Sequence, residues 1–427
     1  MKINLFLGFV CFSLLASCNH KKASTVKMEP IQKADSTSIT YLKNTSLAIN
    51  DTIRLSQLAE EVTYVSLDLP NTSKVIQIQY TDSFIFVNDN TAIHWFNHKG
   101  KEINKIPLSS GCFDLSNHWD SIYTYSLSQK RINCYDLKGN RIWTSRLHYK
   151  EKAVGLYGHF FAHINDSLFV IANTNEGFNP DKLVFFNERG RMKAHIPNNE
   201  TFPYPGSHYT FHSDWYRRLT KNKDVVFYHP VYNDTVYQVG GDMHLTPVII
   251  EERVKKVPLT SRPEYTAKKW LNFLKECQAK QLYVIRVFNT SRYVVVEYRL
   301  GGITYSMANF LVYDRKDKVL RRTFNDLGKG VLARQFHFGI YNDYDGGLAF
   351  APEFVSNDHL IMVNASELQG GNAAKAKSLY THGGTFHGKK CICRSDFYRD
   401  PALKKKADIF WNTCDDNKLI LTILKLK

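Results

Sequence analysis

The sequence lacks the short motifs that mark common enzyme active sites. It has no nucleophile elbow, phosphate-binding loop, His-Glu-x-x-His, Cys-x-x-Cys or dinucleotide fingerprint. This lack excludes the enzyme classes that carry those motifs, but not enzymes that assemble a site from distant loops. It also lacks any apolar run long enough to span a bilayer, since the longest, over residues 5–15, is too short.

Acidic residues are few relative to basic ones. The 427 residues include 56 Lys and Arg but only 40 Asp and Glu, which gives a net charge of +16. Such a balance is typical of proteins that meet nucleic acid, acidic glycans or a membrane surface, and the alternative is a solvated basic surface. The runs at 321–322 and 404–406 are short, and no arginine-rich arm appears. Together with the export signal described next, this argues against nucleic acid.

The N-terminus has the features of a bacterial lipoprotein signal. Lys2 precedes the short apolar stretch, and Leu15-Ala16-Ser17-Cys18 resembles the lipobox that is cut before a diacylated cysteine. We therefore predict a signal peptide over 1–17 and a lipid anchor, such as palmitate, on Cys18. The anchor would hold the protein at the outer membrane, on its periplasmic face or at the cell surface. The alternative is an ordinary secretory signal with a chance cysteine. Residues 18–49 are polar and aperiodic, which predicts a flexible tether.

Six further cysteines follow Cys11 and Cys18. Cys391 and Cys393 are too close for an easy mutual disulfide, and no second pair stands nearby to complete a zinc site. Free, buried thiols are the expectation for these residues, and the sequence leaves their disulfide state open.

The rest of the chain contains a recurring unit of strand, turn, strand, turn and strand. Copies begin at Asp82, Asp120 and Asp166, and a partial copy begins at Phe310. Each ends a strand with an aromatic residue followed by Asn or Asp, and a turn follows. The turn contains Gly in the first three copies, and Asp317 stands at that position in the fourth. All-strand repeats of this length predict a β-propeller.

The fold class we predict is all-β, a six-bladed propeller over residues 50–427. We place the first five blades at 75–108, 112–147, 154–196, 224–251 and 282–324. The sixth should combine residues from about 334 to 364 with both chain ends, because a closed ring must protect its edges. Residues 419–426 should pair with residues 62–67. A capping pattern at 261–264 predicts a helical insertion, and others are expected between 365 and 411.

Several segments resemble a known family, the six-bladed β-propeller lipoproteins of unknown function from gut-type Gram-negative bacteria. The resemblance is carried by residues 55–67, 233–237, 342–348 and 416–427. Family members usually place a G-x-G-P-G-E segment after the first blade, where this sequence has Leu108-Ser109-Ser110-Gly111. The resemblance implies a propeller and a lipid anchor, and it implies no activity.

Two groups of residues are candidate sites. The first is an aromatic and basic segment that suits a sugar ring bearing an acid group; its members are Tyr204, His208, His212, Trp215, Arg217 and Arg218. The alternative is an insertion whose aromatics pack on the blades. The second is Asp343 and Asp345, whose carboxylates suit Ca²⁺, although an Asp-Gly turn explains them better. No other cofactor is predicted.

The sequence therefore favours a lipid-anchored module that binds or scaffolds at the cell envelope. Its expected partners are the membrane, through the anchor, and an anionic glycan or an envelope protein. The alternative is a propeller-type glycan hydrolase or lyase, which would need converging acids and bases at the central mouth. A binding module would instead show aromatic and arginine side chains without a positioned acid–base pair.

Overall fold

The computed structural model describes most of the chain from residue 39 onward. The described residues are 39–43, 53–70, 73–108, 111–149, 160–173, 181–199, 219–230, 233–251, 283–299, 308–322, 339–346, 348–364, 384–386, 389–391, 401–413 and 417–427.

Three elements precede blade one in the chain, and the third of them, β2, belongs to blade six. The first elements are β1 (Thr40–Leu42), α1 (Leu55–Leu58) and β2 (Ala59–Pro70). Blade one is β3 (Gln77–Tyr80), β4 (Ile85–Asn88), β5 (Ala92–Phe96) and β6 (Glu102–Pro107). Blade two is β7 (Gly111–Leu115), β8 (Ser121–Ser126), β9 (Arg131–Asp136) and β10 (Arg141–Arg146). Blade three is β11 (Phe160–Asn165), β12 (Leu168–Ala172), β13 (Asp181–Asn187) and β14 (Met192–Pro197).

The remaining strands complete the ring. Blade four is β15 (Leu219–Asn222), β16 (Val225–Tyr228), β17 (Thr235–Val239) and β18 (Leu245–Glu251). Blade five is β19 (Tyr283–Asn289), β20 (Tyr293–Arg299), β21 (Ala308–Asp314) and β22 (Val319–Arg322). The chain continues with β23 (Phe354–Ser356), β24 (His359–Val363), a hairpin of β25 (Gly384–Phe386) and β26 (Lys389–Cys391), α2 (Pro401–Thr413) and β27 (Lys418–Leu426). Blade six has the order β23-β24-β27-β2.

The six sheets form a ring around their first strands. The first strands of blades one to four lie side by side in that order, and β23 contacts β15, β19 and β3. Each of six buried apolar clusters fills the gap between two neighbouring blades. Trp95 and Phe86 of blade one, for example, pack with Phe113 of blade two. The predicted six-bladed propeller is therefore confirmed.

Both chain ends build blade six, as predicted. β27 lies between β24 and β2, and Leu424 pairs with Val62 on one side and Leu360 on the other. Leu419 and Leu421 are fully buried in the gap between blades six and one.

The turn glycines of the repeat dock each blade on its neighbour. Gly100 has φ +82°, and a Cβ there would lie 1.9 Å from the carbonyl oxygen of Ser66 in blade six. Gly190 makes the same approach to blade two, where a Cβ would lie 2.1 Å from the Arg146 carbonyl oxygen. Glycine is thus required both by its backbone conformation and by the close contact. In the fourth copy the positive φ falls on Lys318, at 56°, one residue after the predicted position, Asp317.

One strand lies inside the range predicted as a tether. β1 pairs in parallel with the outer edge of blade four, Tyr41 opposite Ile250. Leu42 is fully buried among the side chains between blades four and five. This apolar residue explains why the segment pairs with the sheet, although its polar surroundings predicted a tether up to residue 49.

Helices occupy little of the described chain. α1 was not predicted, and α2 lies at the end of the region in which we expected insertions. Phe410 and Trp411 of α2 are buried against blade six, with the Phe410 ring 4.8 Å from that of Tyr64. The helix predicted after residue 261 lies outside the described residues. Within the described part, no helix has the length and apolar character needed to cross a bilayer.

Candidate functional site

The candidate site lies where the first strands of the blades end. In an antiparallel blade the turn between strands one and two (the inner turn) and the turn between strands three and four (the outer turn) lie on the same face. We call this face the turn face. The ring of His98, in the outer turn of blade one, is 2.9 Å from the Thr81 carbonyl oxygen of the inner turn, which places both turns together.

A pocket opens at the centre of the turn face, and we call it the mouth. It holds about 290 Å³ of free space, the open entrance included. Its lining comes from blades one, two, four and six: Gln79, Tyr80, Thr81, Leu115, Trp119, Lys221, Lys223, Ser356 and Asn357. Most of this space is the open entrance, so the pocket has room for a small end group of a ligand, and the rest of the ligand would lie over the entrance.

Asp114 lies directly beneath the mouth and joins four blades. The residue is only 1% exposed. Its carboxylate accepts bonds from Gln79 Nε2 of blade one, 2.5 Å away, from the backbone N–H of His163 of blade three, 2.7 Å away, and from Lys221 Nζ of blade four, 3.2 Å away. Lys221 Nζ also donates to the Leu115 carbonyl oxygen at 2.9 Å. The three donors come from three different blades, so this carboxylate ties blades one, three and four to blade two.

Asp358 of blade six, at the rim of the mouth, joins blades four and five. Its carboxylate accepts bonds from Asn222 and Lys223 of blade four and from the Ser291 hydroxyl of blade five, at 2.7, 2.6 and 2.5 Å. Burial alone would raise its pKa, but these bonds outweigh burial and lower the pKa to about 2. Asp358 therefore stays ionised and holds Lys223 beside the pocket.

Aromatic rings form part of the wall. The Tyr80 ring stacks on His98 with centroids 4.9 Å apart and meets the ring of His359 at 4.4 Å. Its backbone N–H donates to Ser356 Oγ at 2.9 Å. Trp119 adopts φ +58° in the inner turn of blade two. Positive φ is uncommon for a bulky residue, and such conformations are often found at binding sites.

His163 lies behind Asp114 without a polar partner for its ring. The residue is fully buried, and its ring lies 4.6 Å from that of Tyr123 and 5.3 Å from that of Phe169. Among the residues that the structure describes, neither ring nitrogen has a hydrogen-bond partner. Burial first, and then the charge of Lys221, lower the pKa of His163 to about 4. The ring is thus neutral at physiological pH.

We expect His163 to make the protein sensitive to mild acid. In the unfolded chain histidine binds a proton near its ordinary pKa of 6.5, but the folded protein takes it up only near pH 4. Stability should therefore fall as pH drops below 6.5, by about 2 kcal/mol between about pH 7 and about pH 5. Urea unfolding at both pH values should show this loss in the wild type and a smaller one in His163→Phe.

The matched control is His118→Phe, since His118 is exposed on the same face. This variant should keep the full acid loss. An equal acid loss in His163→Phe and in the wild type would contradict the assignment.

The predicted site residues fall in two groups. Tyr204, His208, His212, Trp215, Arg217 and Arg218, and likewise Cys18, lie outside the described residues, so those assignments stay predictions. Asp343 and Asp345 are described. Asp343 accepts bonds from the Ser56 N–H and hydroxyl at 2.8 and 2.6 Å, and Asp345 accepts from the Tyr64 hydroxyl at 2.8 Å.

These bonds tie the turn at 342–346 to α1 and β2. Ser56 and Tyr64 donate hydrogen bonds to these carboxylates. The donors occupy oxygen atoms that a bound cation would need, which favours the turn. In the described part of the chain, no group of three or more His, Cys, Asp or Glu side chains could hold a metal ion. The Ca²⁺ assignment stays a prediction.

Comparisons with known proteins bear on the family. Residues 42–379 match the model of a domain of unknown function, DUF4934. The chain belongs to this family. No curated protein matches it. A protein of Bacteroides fragilis NCTC 9343 described as exported has a solved structure that aligns with a TM-score of 0.55 at 14% identity, over 91% of this chain and 99% of that one.

A second solved structure is that of a DUF4221 family member from Bacteroides vulgatus ATCC 8482. It aligns with a TM-score of 0.45 at 12% identity, over 87% of this chain and 98% of that one. The DUF4934 match agrees with the resemblance to propellers of unknown function, and the B. fragilis structure supports the fold.

A second polar cluster of the DUF4934 chain lies away from the mouth. Asp181, at the start of β13, accepts a bond from the Tyr149 hydroxyl at 2.7 Å and pairs with His195 Nδ1 at 2.5 Å. β13 starts at the face opposite the turn face, and Tyr149 follows the last strand of blade two. The cluster therefore ties blade two to blade three.

The residues of the mouth were not found from the sequence. Lys221 and Asp114 are 107 positions apart, and no local pattern links them. One usable signal was present, since the Asp residues that open the repeats, Asp82 and Asp120, mark the inner turns. Aligning the repeats places these turns on one face, but it does not show which side chains point to its centre.

Proposed function

We propose that this propeller is a binding or scaffolding module of the cell envelope, and that its mouth holds an acidic group of a glycan. The observation that carries the proposal is the composition of the mouth. Among the described residues, its lining contains two lysines, Tyr80 and Trp119 and no acidic residue, and Asp114 and Asp358 bind the two lysines from beneath the mouth and from its rim. This lining resembles the pattern we predicted for a binding module, aromatics and arginine without a positioned acid–base pair, but with lysine in place of arginine.

The lysines suit a carboxylate. An ammonium group has three N–H donors, and Lys221 uses two of them on Asp114 and the Leu115 carbonyl oxygen. No other residue that the structure describes accepts the third, which is therefore available to a ligand. The side chain of Lys223 is half exposed at the rim, and Asp358 fixes its position. Both cations are oriented before a ligand arrives, which lowers the entropy lost on binding.

The other lining groups suit a sugar ring. Tyr80 and Trp119 offer apolar ring faces, on which a pyranose can pack its C–H groups. Gln79, Ser356 and Asn357 supply short polar side chains at the same pocket, and sugar hydroxyls are their natural partners. An acidic sugar uses both sets of groups, whereas a simple anion uses the lysines alone.

The envelope location is part of the proposal. The lipobox at Leu15 to Cys18 supports a lipid anchor on Cys18 and a place at the outer membrane. The B. fragilis protein, which is described as exported, has a similar fold. A lipid-anchored propeller would present its mouth to glycans or partner proteins of that compartment.

Calorimetric titration with galacturonic acid and with galactose tests the mouth. We expect galacturonic acid to bind at least tenfold more tightly, about 1.4 kcal/mol, because only the acid can pair with the lysines. Trp119→Asn and Lys223→Met should each weaken acid binding by about three- to tenfold. Asn is chosen because it tolerates positive φ.

The control is Lys404→Met, which removes an exposed lysine of α2 and should leave binding unchanged. Equal affinity for the two sugars would contradict the proposal that the ligand is acidic. Binding that is unchanged by both mouth substitutions would show that the site lies elsewhere. Binding to an envelope protein and to neither sugar would favour scaffolding.

A further inference from the structure

The turn face differs from blade to blade in its charge. The inner turns of blades one to four each carry an exposed aspartate: Asp82, Asp120, Asp166 and Asp224. The inner turn of blade five carries Thr290, Ser291 and Arg292 instead. A negative chain that leaves the mouth over blades one to four therefore meets an exposed carboxylate, while over blade five it meets a cation.

The outer turn of blade five adds further cations. Lys316 and Lys318 are exposed there. The guanidinium of Arg315, in the same turn, donates to the Thr290 carbonyl oxygen, which brings the outer turn against the inner turn. At the other end Lys223 Nζ lies 3.3 Å from Ser291 Oγ, which joins the mouth to blade five.

The carboxylates of this sector are largely occupied by the protein itself. Asp314, whose side chain is 4% exposed, is bound by Arg292 at 2.8 Å and by the Lys316 N–H at 2.9 Å. Asp358 is held by its four donors. Asp317 is exposed and lies 3.8 Å from Arg292. The sector therefore presents mainly positive charge to solvent.

We infer that blade five carries a binding track for an anionic polysaccharide, running from Lys223 past Arg292 to Lys316 and Lys318. The inference rests on the proposed function: the mouth holds one acidic unit, and the track holds the units that follow. The ligand would then be a polymer and not a single sugar, and it would leave the mouth over blade five.

Charge screening supports a chain in contact with the track. At physiological salt, charges more than about 8 Å apart interact weakly. The outer turn of blade five is held to the mouth only through the inner turn, so its lysines should add little to the binding of a single sugar. They act only on a ligand long enough to reach them. Affinity should therefore rise with the length of the chain.

Blade one provides a matched control. Its outer turn also carries two exposed lysines, Lys99 and Lys101, on the same face. Between them and the mouth stands the exposed Asp82 of the inner turn. The two lysine pairs thus have the same charge and corresponding positions in the repeat, and they differ only in the blade that carries them.

The experiment measures binding of galacturonic acid and of oligogalacturonates of increasing length by calorimetry at physiological salt. The wild type should bind the octamer about tenfold more tightly than the monomer. The double variant Lys316→Ser with Lys318→Ser should lose most of this gain and keep its affinity for the monomer. Lys99→Ser with Lys101→Ser should behave like the wild type.

Three results would overturn the track. Affinity that does not rise with chain length would show that the ligand is not a polymer. Equal losses in both double variants would show that the effect comes from the net charge of the surface. In either case, binding of the monomer would still support the proposed function. If no acidic ligand of any length binds, both proposals fall. Circular dichroism melts of the variants show that each is folded.

Discussion

A chain that ends at Asn417 is expected to fail to form a stable propeller. The deletion removes β27, the strand between β24 and β2 in blade six. Leu419, Leu421 and Leu424 are fully buried, and the loss of each such side chain costs about 2–5 kcal/mol. Their sum reaches the whole stability of a typical domain, about 5–15 kcal/mol. The deletion also leaves two open strand edges, which promote aggregation.

The expected result is insoluble protein, or soluble protein without a cooperative melt in circular dichroism. The control is a chain that ends at Lys425, because Leu426 and Lys427 are not buried. It loses the bond from Lys427 N–H to the Leu58 carbonyl oxygen and should melt a few degrees below the parent. A chain ending at Asn417 that melts like the parent would contradict the closure of the ring through β27.

The repeat carried most of what the sequence predicted about the fold. An aromatic residue, an Asn or Asp and a turn glycine recur because each blade must dock an outer turn on the blade before it. Gly100 and Gly190 make this contact at spacings no side chain would fit. A local requirement of this kind produces a local sequence pattern, and this pattern identified blades one, two, three and five.

The parts that the sequence did not predict depend on distant contacts. β1 is a strand because Leu42 finds an apolar gap between blades four and five, and its own neighbours in sequence do not predict this. The same holds for the mouth. Gln79, Asp114, His163 and Lys221 come from four blades and meet only when the ring closes. Single residues of ordinary type in ordinary strands give no signal of such a meeting.

Asp114→Ala is expected to destabilise the ring strongly. It removes the acceptor of three donors from three other blades: Gln79, Lys221 and the N–H of His163. The side chain of Lys221 is only 11% exposed, so its charge would stay close to buried with the Leu115 carbonyl oxygen as a partner but without a carboxylate. Breaking a buried ion pair from one side costs about 3–5 kcal/mol.

Urea unfolding of the single and double variants separates the contribution of the Asp114–Lys221 ion pair from that of the hydrogen bonds that Gln79 and the His163 N–H donate to Asp114. Lys221→Met alone should also destabilise, since it removes the one lysine that donates to the buried Asp114 side chain among the described residues. Adding it to Asp114→Ala should cost less than the sum of the two, because neighbouring groups in one network couple by about 0.5–3 kcal/mol. The matched control is Asp224→Ala, an exposed aspartate of an inner turn, which should change stability by about 0.5 kcal/mol or less. Strict additivity of the two substitutions would show that Asp114 and Lys221 do not act as a pair, and the loss would then come from the unpaired donors of Gln79 and His163.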